Sequence, residues 1–178
     1  LEKGCAFCSG KYGGEEWAVQ YGGAEPGGYM TGENFAVTCM MGVRHSHLDD
    51  TGYSIDQKLL NAAQPLEEQV RAQVKEAQWR MVLNSLMICL FARGVYDEEV
   101  ILEGLDALGL EWDAGKLRAM SEKALLRKYE WKALCGFDHR SVKIPEKMYS
   151  VQTTTGLIGR ESLEERLRLY REYAGLKS

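Results

Sequence analysis

The sequence of 178 residues lacks any concentrated block of lysine and arginine, and its formal net charge at pH 7 is −4. Because binding to a phosphate backbone needs clustered positive charge, this absence argues against a nucleic acid as the main partner. Hydrophobic residues make up 45% of the chain and charged residues 27%. That balance is typical of a folded globular protein and argues against disorder.

The sequence also lacks an apolar run of the length that crosses a bilayer, which is about 20 residues. The longest candidate, 83–92, is interrupted by Asn84 and Ser85. No basic stretch followed by an apolar one opens the sequence, as it would in a secretory signal. We therefore expect a cytoplasmic protein without a membrane partner. Because the first residue is Leu1 rather than methionine, we expect an excised fragment or a processed product.

The sequence has five cysteines, Cys5, Cys8, Cys39, Cys89 and Cys135. Because the number is odd, disulfide bonds could not pair all of them. In a reducing compartment we expect thiols or metal ligands. Cys5 and Cys8 form a CxxC pair, in which a tight turn points both sulfurs the same way, toward one metal or two corners of an iron–sulfur cluster. The CxxC pair alone is compatible with three interpretations: a metal site that needs two further ligands, a redox pair, or two incidental thiols.

The composition changes near residue 54. Glycine is dense between residues 10 and 32, and no long periodic pattern appears before residue 54. We expect 1–53 to be a glycine-rich, loop-like segment that packs on a helical lobe or on a missing partner. The remainder, 54–178, is predicted to be a helical domain, so the fold class is all-α.

Apolar spacing after residue 54 predicts four helices: about 65–83, Asp97 to near Gly109, Asp113 to about Cys135, and about Ser162 to Gly175. Pro65 suits a first helical turn, and Asp97 and Asp113 suit N-caps. A further apolar segment joins the first two helices and ends at Gly94. Its apolar character places Cys89 in the core, where most unreactive thiols lie.

Two polar clusters are candidates for chemistry. His45 and His47 alternate and, on an extended segment, would point to opposite faces. They are either loop histidines of no special role, or one imidazole handles a proton near pH 7 with a carboxylate close by. The acidic pair Glu15 and Glu16 is interpreted as solvated.

The order of several landmarks resembles the aldehyde:ferredoxin oxidoreductase family. The landmarks are Phe35 to His45, Asn84 to Phe91, Gly136-Phe137-Asp138 followed by Ile144-Pro145-Glu146-Lys147, and the closing segment from Gly156 to Gly175. The second is similar to the family's Asp-Ser-Leu-Gly-Leu-Cys-Lys-Phe stretch, and together they cover about 30–178. The resemblance identifies the chain as the C-terminal, helical region of such an enzyme.

The resemblance implies an oxidoreductase that converts aldehydes to carboxylic acids, or reduces related acyl compounds. The metal would be tungsten or molybdenum held by two pterin dithiolenes, with electron transfer through a [4Fe-4S] cluster to ferredoxin. It further implies that Cys5, Cys8 and Cys89 are cluster ligands and that Asn84 and Ser85 lie against a pterin. His45 would be the catalytic, proton-handling histidine, and the partners would be the remaining domains or subunits.

The sequence departs from the family pattern at several positions. Tyr12 stands where a third cluster cysteine is expected, Asn84 replaces an aspartate, and Met87 replaces a glycine. The interval between Cys8 and Cys89 is also much shorter than in complete enzymes of the family. Three hypotheses follow: part of an oxidoreductase that is inactive alone, a non-catalytic helical binding module derived from that family, or a small zinc- or cluster-binding domain. The substrate and the choice between tungsten and molybdenum stay open.

Overall fold

The computed structural model of the chain describes residues 4–20 and 30–176, and of residues 4–6 only the backbone. These ranges contain eight α-helices and no β-strand, so the all-α prediction is confirmed. The helices are α1 (Gly4–Gly10), α2 (Glu33–Met41), α3 (Gly52–Leu59), α4 (Leu66–Ser85), α5 (Glu98–Ala107), α6 (Ala114–Leu134), α7 (Glu146–Tyr149) and α8 (Arg160–Tyr173). Short 3₁₀ turns lie at Glu15–Trp17 and Leu90–Ala92.

The four helices predicted from apolar spacing are α4, α5, α6 and α8. Helix α4 begins directly after Pro65, whose missing N–H costs nothing at that position. The side chain of Asp97 accepts a hydrogen bond from the N–H of Val100 at 3.0 Å, and Asp113 does the same for Lys116 at 2.8 Å. Both aspartates are therefore N-caps, as predicted.

The main hydrophobic core is formed by α2, α4, α6 and α8 together. Its largest fully buried side chains include Phe35, Met40, Met81, Leu125, Met148, Leu163 and Tyr170. A smaller cluster of Val82, Ile101 and Leu117 attaches α5 to α4 and α6. None of the helices in the described ranges combines the length and the apolarity that a membrane span needs.

Helix α2 lies in a stretch where the sequence predicted no helix. All of its residues from 34 to 41 are buried, so the helix has no polar face and shows no amphipathic period. It packs mainly against α3 and α8. Residues before 54 thus contribute directly to the core, while a domain boundary at 53/54 stays a prediction.

Polar side chains from other helices fix the N-terminus of α2. The residue before it is Gly32, which has no side chain to act as a cap. The Asp56 carboxylate from α3 takes that role, accepting from the N–H groups of Asn34 at 3.2 Å and Phe35 at 2.9 Å. A negative charge suits the positive end of the helix dipole. Burial nevertheless raises the pKa of Asp56, and these hydrogen bonds oppose that rise.

The segment after α4 is at the surface. Cys89 is exposed, so the prediction that apolarity places it in the core is wrong. Met87 and Phe91 are 92% and 91% exposed. Ile88 packs against the small cluster of Val82, Ile101 and Leu117, whereas most of the other side chains of this segment face solvent. Apolar composition alone does not distinguish a core segment from an exposed one.

Candidate functional site

The loop that follows α2 is built around one carboxylate. Asp49 is buried and accepts hydrogen bonds from the N–H groups of Arg44 at 2.9 Å and Ser46 at 3.0 Å. Its second oxygen accepts from Arg44 Nε at 2.7 Å. The loop is therefore a series of tight turns and not an extended segment, so the alternation of His45 and His47 does not by itself place them on opposite faces.

His45 adopts an uncommon backbone conformation in this loop, with φ of +53°. A non-glycine residue in the left-handed region costs about 1 kcal/mol or more, so its surroundings must hold it there. The His45 N–H donates to Gly42 O at 3.1 Å, and Nδ1 lies 2.8 Å from Cys39 O. The imidazole packs edge-on against Phe137, with 5.1 Å between ring centroids.

Lys132, near the end of α6, contacts the other ring nitrogen. Its Nζ lies 3.1 Å from His45 Nε2 and donates to Gly42 O at 2.9 Å. The ammonium also lies 3.7 Å from the centroid of the Phe137 ring, a distance typical of a cation–π contact. His45, Lys132 and Phe137 form a cluster that we call the histidine–lysine site.

The histidine–lysine site lies at the C-terminal end of α2, where backbone carbonyls lack partners within the helix. Side chains supply those partners. His45 binds Cys39 O, the Tyr129 hydroxyl donates to Met41 O, and Lys132 donates to Gly42 O. A positive charge suits this end of the helix dipole.

The contacts of His45 favour one tautomer. Because a carbonyl only accepts, a proton on Nδ1 satisfies the contact with Cys39 O, and Nε2 is then an acceptor for the Lys132 ammonium. Burial, followed by the charge of Lys132, lowers the pKa of His45, while Cys39 O and Asp49 oppose this. Burial also lowers the pKa of Lys132 to about 8, and Asp49 opposes this. The pair can hold or release a proton near neutral pH.

His47 has different surroundings. Its ring stacks on Phe35, with 6.4 Å between centroids. The structure thus brings His45, and not His47, to Lys132. Glu16, predicted to be solvated, is exposed and accepts a hydrogen bond from the N–H of Glu146 at 2.8 Å.

A second buried carboxylate, Asp50, lies beneath the same loop. Its Oδ1 accepts from the N–H of Gly52 at 2.7 Å and contacts the Thr38 hydroxyl, and Gln73 Nε2 lies 3.5 Å away. Burial raises the pKa of Asp50 to about 7. The Thr38 hydroxyl also contacts Asn34 O at 3.0 Å. Since that hydroxyl has one proton for two acceptors, a proton on Asp50 satisfies both contacts.

The cysteines that the resemblance implied as cluster ligands are Cys5, Cys8 and Cys89. Cys8 on α1 and Cys89 after α4 are both exposed, whereas the side chain of Cys5 lies outside the described residues. Cys39 is buried, and burial raises the pKa of its thiol to about 12. Cys39 is therefore a neutral thiol and a poor candidate for a fourth thiolate ligand.

Asn84 and Ser85, implied as pterin contacts, end α4 at the surface. Ser85 Oγ donates back to Met81 O at 2.7 Å, which leaves the exposed Asn84 amide as the more available group. Met87, at the position where the resembling stretch has glycine, has φ of +55°. The backbone thus keeps a left-handed turn that favours glycine, even though the side chain has changed.

The family model described as "Aldehyde ferredoxin oxidoreductase, domains 2 & 3" matches residues 1–178, the whole chain. The chain belongs to this family. No curated protein and no solved structure gives a significant match. The left-handed turn at Met87 is consistent with this membership, because the turn fits the glycine in the stretch that the chain resembles.

Aldehyde ferredoxin oxidoreductases generally bind a tungsten–pterin and an iron–sulfur cluster. Among the residues with described side chains, no group of three or more His, Cys, Asp or Glu side chains could hold a metal ion. Tyr12, at the position of the expected third cysteine, is 84% exposed. The described side chains therefore do not form a cluster ligand set, and no chemical step of a cluster follows from their geometry.

The sequence did not single out Lys132, although it is the residue that contacts His45. As one lysine near the end of a helix, it resembles an ordinary solvated side chain or a partner of the helix dipole. Phe137 belongs to one of the family landmarks, but the sequence suggested no function for its side chain. The Gly-Phe-Asp landmark, directly after α6, was the one available signal that this helix end has a function.

Proposed function

We propose that the chain forms the C-terminal part of an aldehyde:ferredoxin oxidoreductase-like enzyme, with His45 handling protons during oxidation of an aldehyde to a carboxylate. The observation that supports it is the constrained His45 ring, whose two nitrogens contact Cys39 O and Lys132 Nζ. The imidazole, with a pKa below its usual value, is neutral at pH 7, and the His45–Lys132 pair takes up a proton when Lys132 is in its uncharged form.

The reaction needs such a group. Conversion of RCHO and water to RCOO⁻ releases three protons and two electrons, so the site must accept protons whichever route the electrons take. In the complete enzyme, a tungsten- or molybdenum-pterin would supply the oxidation chemistry, and a [4Fe-4S] cluster, with Cys5, Cys8 and Cys89 as proposed ligands, would supply the electron path to ferredoxin. His45 and Lys132 would provide a proton acceptor within this chain.

We further propose that the chain is inactive alone and that other domains or subunits of the enzyme are its partners. Exposed apolar side chains on the segment after α4 support this: Met87 and Phe91 are almost fully exposed, and Val95 is 69% exposed. A contiguous exposed apolar stretch of this kind normally marks a surface that another protein or domain covers. It adjoins Asn84 and Cys89, the residues proposed to contact the pterin and the cluster.

The test of His45 is a pair of substitutions in the native protein purified without oxygen. His45→Gln should lower kcat for aldehyde oxidation, followed with a dye acceptor, by about 10² to 10⁴-fold. His47→Gln is the matched control, because His47 lies two positions away and stacks on Phe35 instead. Equal activity of the two variants would contradict the role of His45.

The proposed cluster ligands call for a separate test. Cys89→Ser should lower the iron content of the native protein, together with the visible absorption of sulfur-to-iron charge transfer. Cys135→Ser should leave both unchanged, because Cys135 is also an exposed thiol but has no proposed role. Iron content that does not differ between the two variants would rule out Cys89 as a ligand.

A second candidate function is a non-catalytic helical binding module. Its support is the exposed Tyr12 in place of a cysteine and the lack of a metal-holding group among the described side chains. Metal analysis distinguishes the candidates. Iron with tungsten or molybdenum supports the oxidoreductase, a folded protein free of these metals supports the module, and zinc alone supports a small zinc-binding domain with Cys5 and Cys8.

A further inference from the structure

Three observations link Lys132 to the state of His45. The Lys132 ammonium is 3.1 Å from His45 Nε2, and it is held in place by Gly42 O and by the face of Phe137. The opposite ring nitrogen is 2.8 Å from Cys39 O. Both nitrogens are therefore engaged, one by an acceptor and the other by a cation.

We propose that Lys132 is a positioning residue for His45, holding the imidazole neutral with its proton on Nδ1 and its Nε2 lone pair toward the lysine. The role of His45 in the reaction rests on the proposed function above, whereas the contact itself does not. A second proton on Nε2 would place an N–H against the ammonium, so the imidazolium is disfavoured while Lys132 is charged.

The other charged groups around the pair act in the opposite direction or are already paired. Asp49 favours the positive forms of both residues, but it is shared with the N–H groups of the loop and with the Arg44 guanidinium. The Tyr129 hydroxyl, on the same helix as Lys132, donates to Met41 O. Lys132 is thus the cation that contacts Nε2 directly.

The inference is tested by NMR on the 178-residue chain with isotope-labelled histidine. The sequence has only three histidines, so His→Gln variants assign every signal. In the parent protein the His45 nitrogen shifts should correspond to the Nδ1–H tautomer. Lys132→Met should raise the pKa of His45 by about one unit, because a neighbouring like charge is removed.

Matched variants separate charge from packing. Lys132→Arg keeps the positive charge and should keep the pKa of His45 low. Lys123→Met, at an exposed position of the same helix, should leave that pKa unchanged. The His47 signal, which reports the Phe35 contact, shows whether each variant is folded.

An unchanged His45 pKa in folded Lys132→Met would overturn the inference. If Lys132→Met does not fold, the nitrogen shifts of His45 in the parent protein still test the inference. A ring proton on Nε2 rather than on Nδ1 would overturn it. Full aldehyde oxidation by His45→Gln would instead contradict the proposed function and leave the tautomer result standing. The two failures are therefore distinguishable.

Discussion

The guanidinium of Arg166 on α8 forms a nearly buried ion pair with Glu33 on α2, with 2.8 Å between Nε and Oε2. Arg166 also donates to Asn34 Oδ1 and Gln69 Oε1, each at 2.9 Å. One side chain thus connects α8, α2 and α4. Removing one partner of such a pair leaves a charge without compensation in a region of low dielectric.

Replacement of Arg166 by leucine should therefore lower the free energy of unfolding by about 3 kcal/mol, measured by urea denaturation. Arg168→Leu, two positions along the same helix, is the control. Its ion pairs with Glu165 and Glu172 are exposed, so we expect a change below about 1 kcal/mol. Similar losses for both variants would mean that burial does not govern the Arg166 pair.

The pH dependence of stability should depend on Asp50. Its pKa is about 7 in the folded chain, against 3.8 for an unperturbed aspartate, so the folded state binds the proton more tightly. Between these two values stability therefore falls as pH rises, with a slope of up to about 1.4 kcal/mol per pH unit. The contribution is complete below the lower value and lost above the higher one.

Asp50→Asn should remove this slope, as measured by urea denaturation at several pH values between 4 and 7. His45 opposes the trend, because its folded pKa is lowered and its contribution grows as pH rises through the usual histidine range. The comparison is therefore made between the Asp50 variant and the parent chain, both of which retain His45. Parallel pH profiles would contradict the assignment.

Met87→Gly should stabilise the chain by about 1 kcal/mol, because a left-handed residue with a Cβ is strained. The Met87 side chain is 92% exposed, so little packing is lost. Met87→Ala keeps the Cβ and should have little effect. A stability gain from alanine equal to that from glycine would show that the methionine side chain, and not backbone strain, is the cause.

Gly52→Ala should destabilise the chain by more than about 2 kcal/mol. An added Cβ would clash with Thr38 Oγ1 and Asn34 O and would lie 2.7 Å from Gln73 Nε2, within the network that binds Asp50. Gly104→Ala in α5 is the control, since its Cβ would meet nothing within 4 Å. There we expect a gain of about 1 kcal/mol from helix propensity. Thermal unfolding of both variants checks the contrast.

The helices with a single buried face were predictable from the sequence. For α4, α6 and α8, apolar residues at three- and four-residue spacing face the core, and Asp97 and Asp113 cap α5 and α6 as expected. Local spacing and local hydrogen bonds are encoded within a few residues. The family landmarks, including His45, were readable for the same reason.

Helix α2 and the partner of His45 were not predictable in this way. Helix α2 is buried on all sides, and its N-terminus is capped by Asp56 from another helix. Nothing local in the sequence indicates either fact. Lys132 reaches His45 only because α6 packs beside the end of α2.

The all-α class, the helices with three- and four-residue apolar spacing and the family could be predicted from the sequence, because these depend on the order and spacing of residues along the chain. The contact of His45 with Lys132, the burial of Asp50 and the exposure of Cys89 follow from the packing of the helices. Those properties depend on burial and on contacts between residues far apart in sequence. A side chain's charge, proton and solvent exposure are set by its neighbours in space.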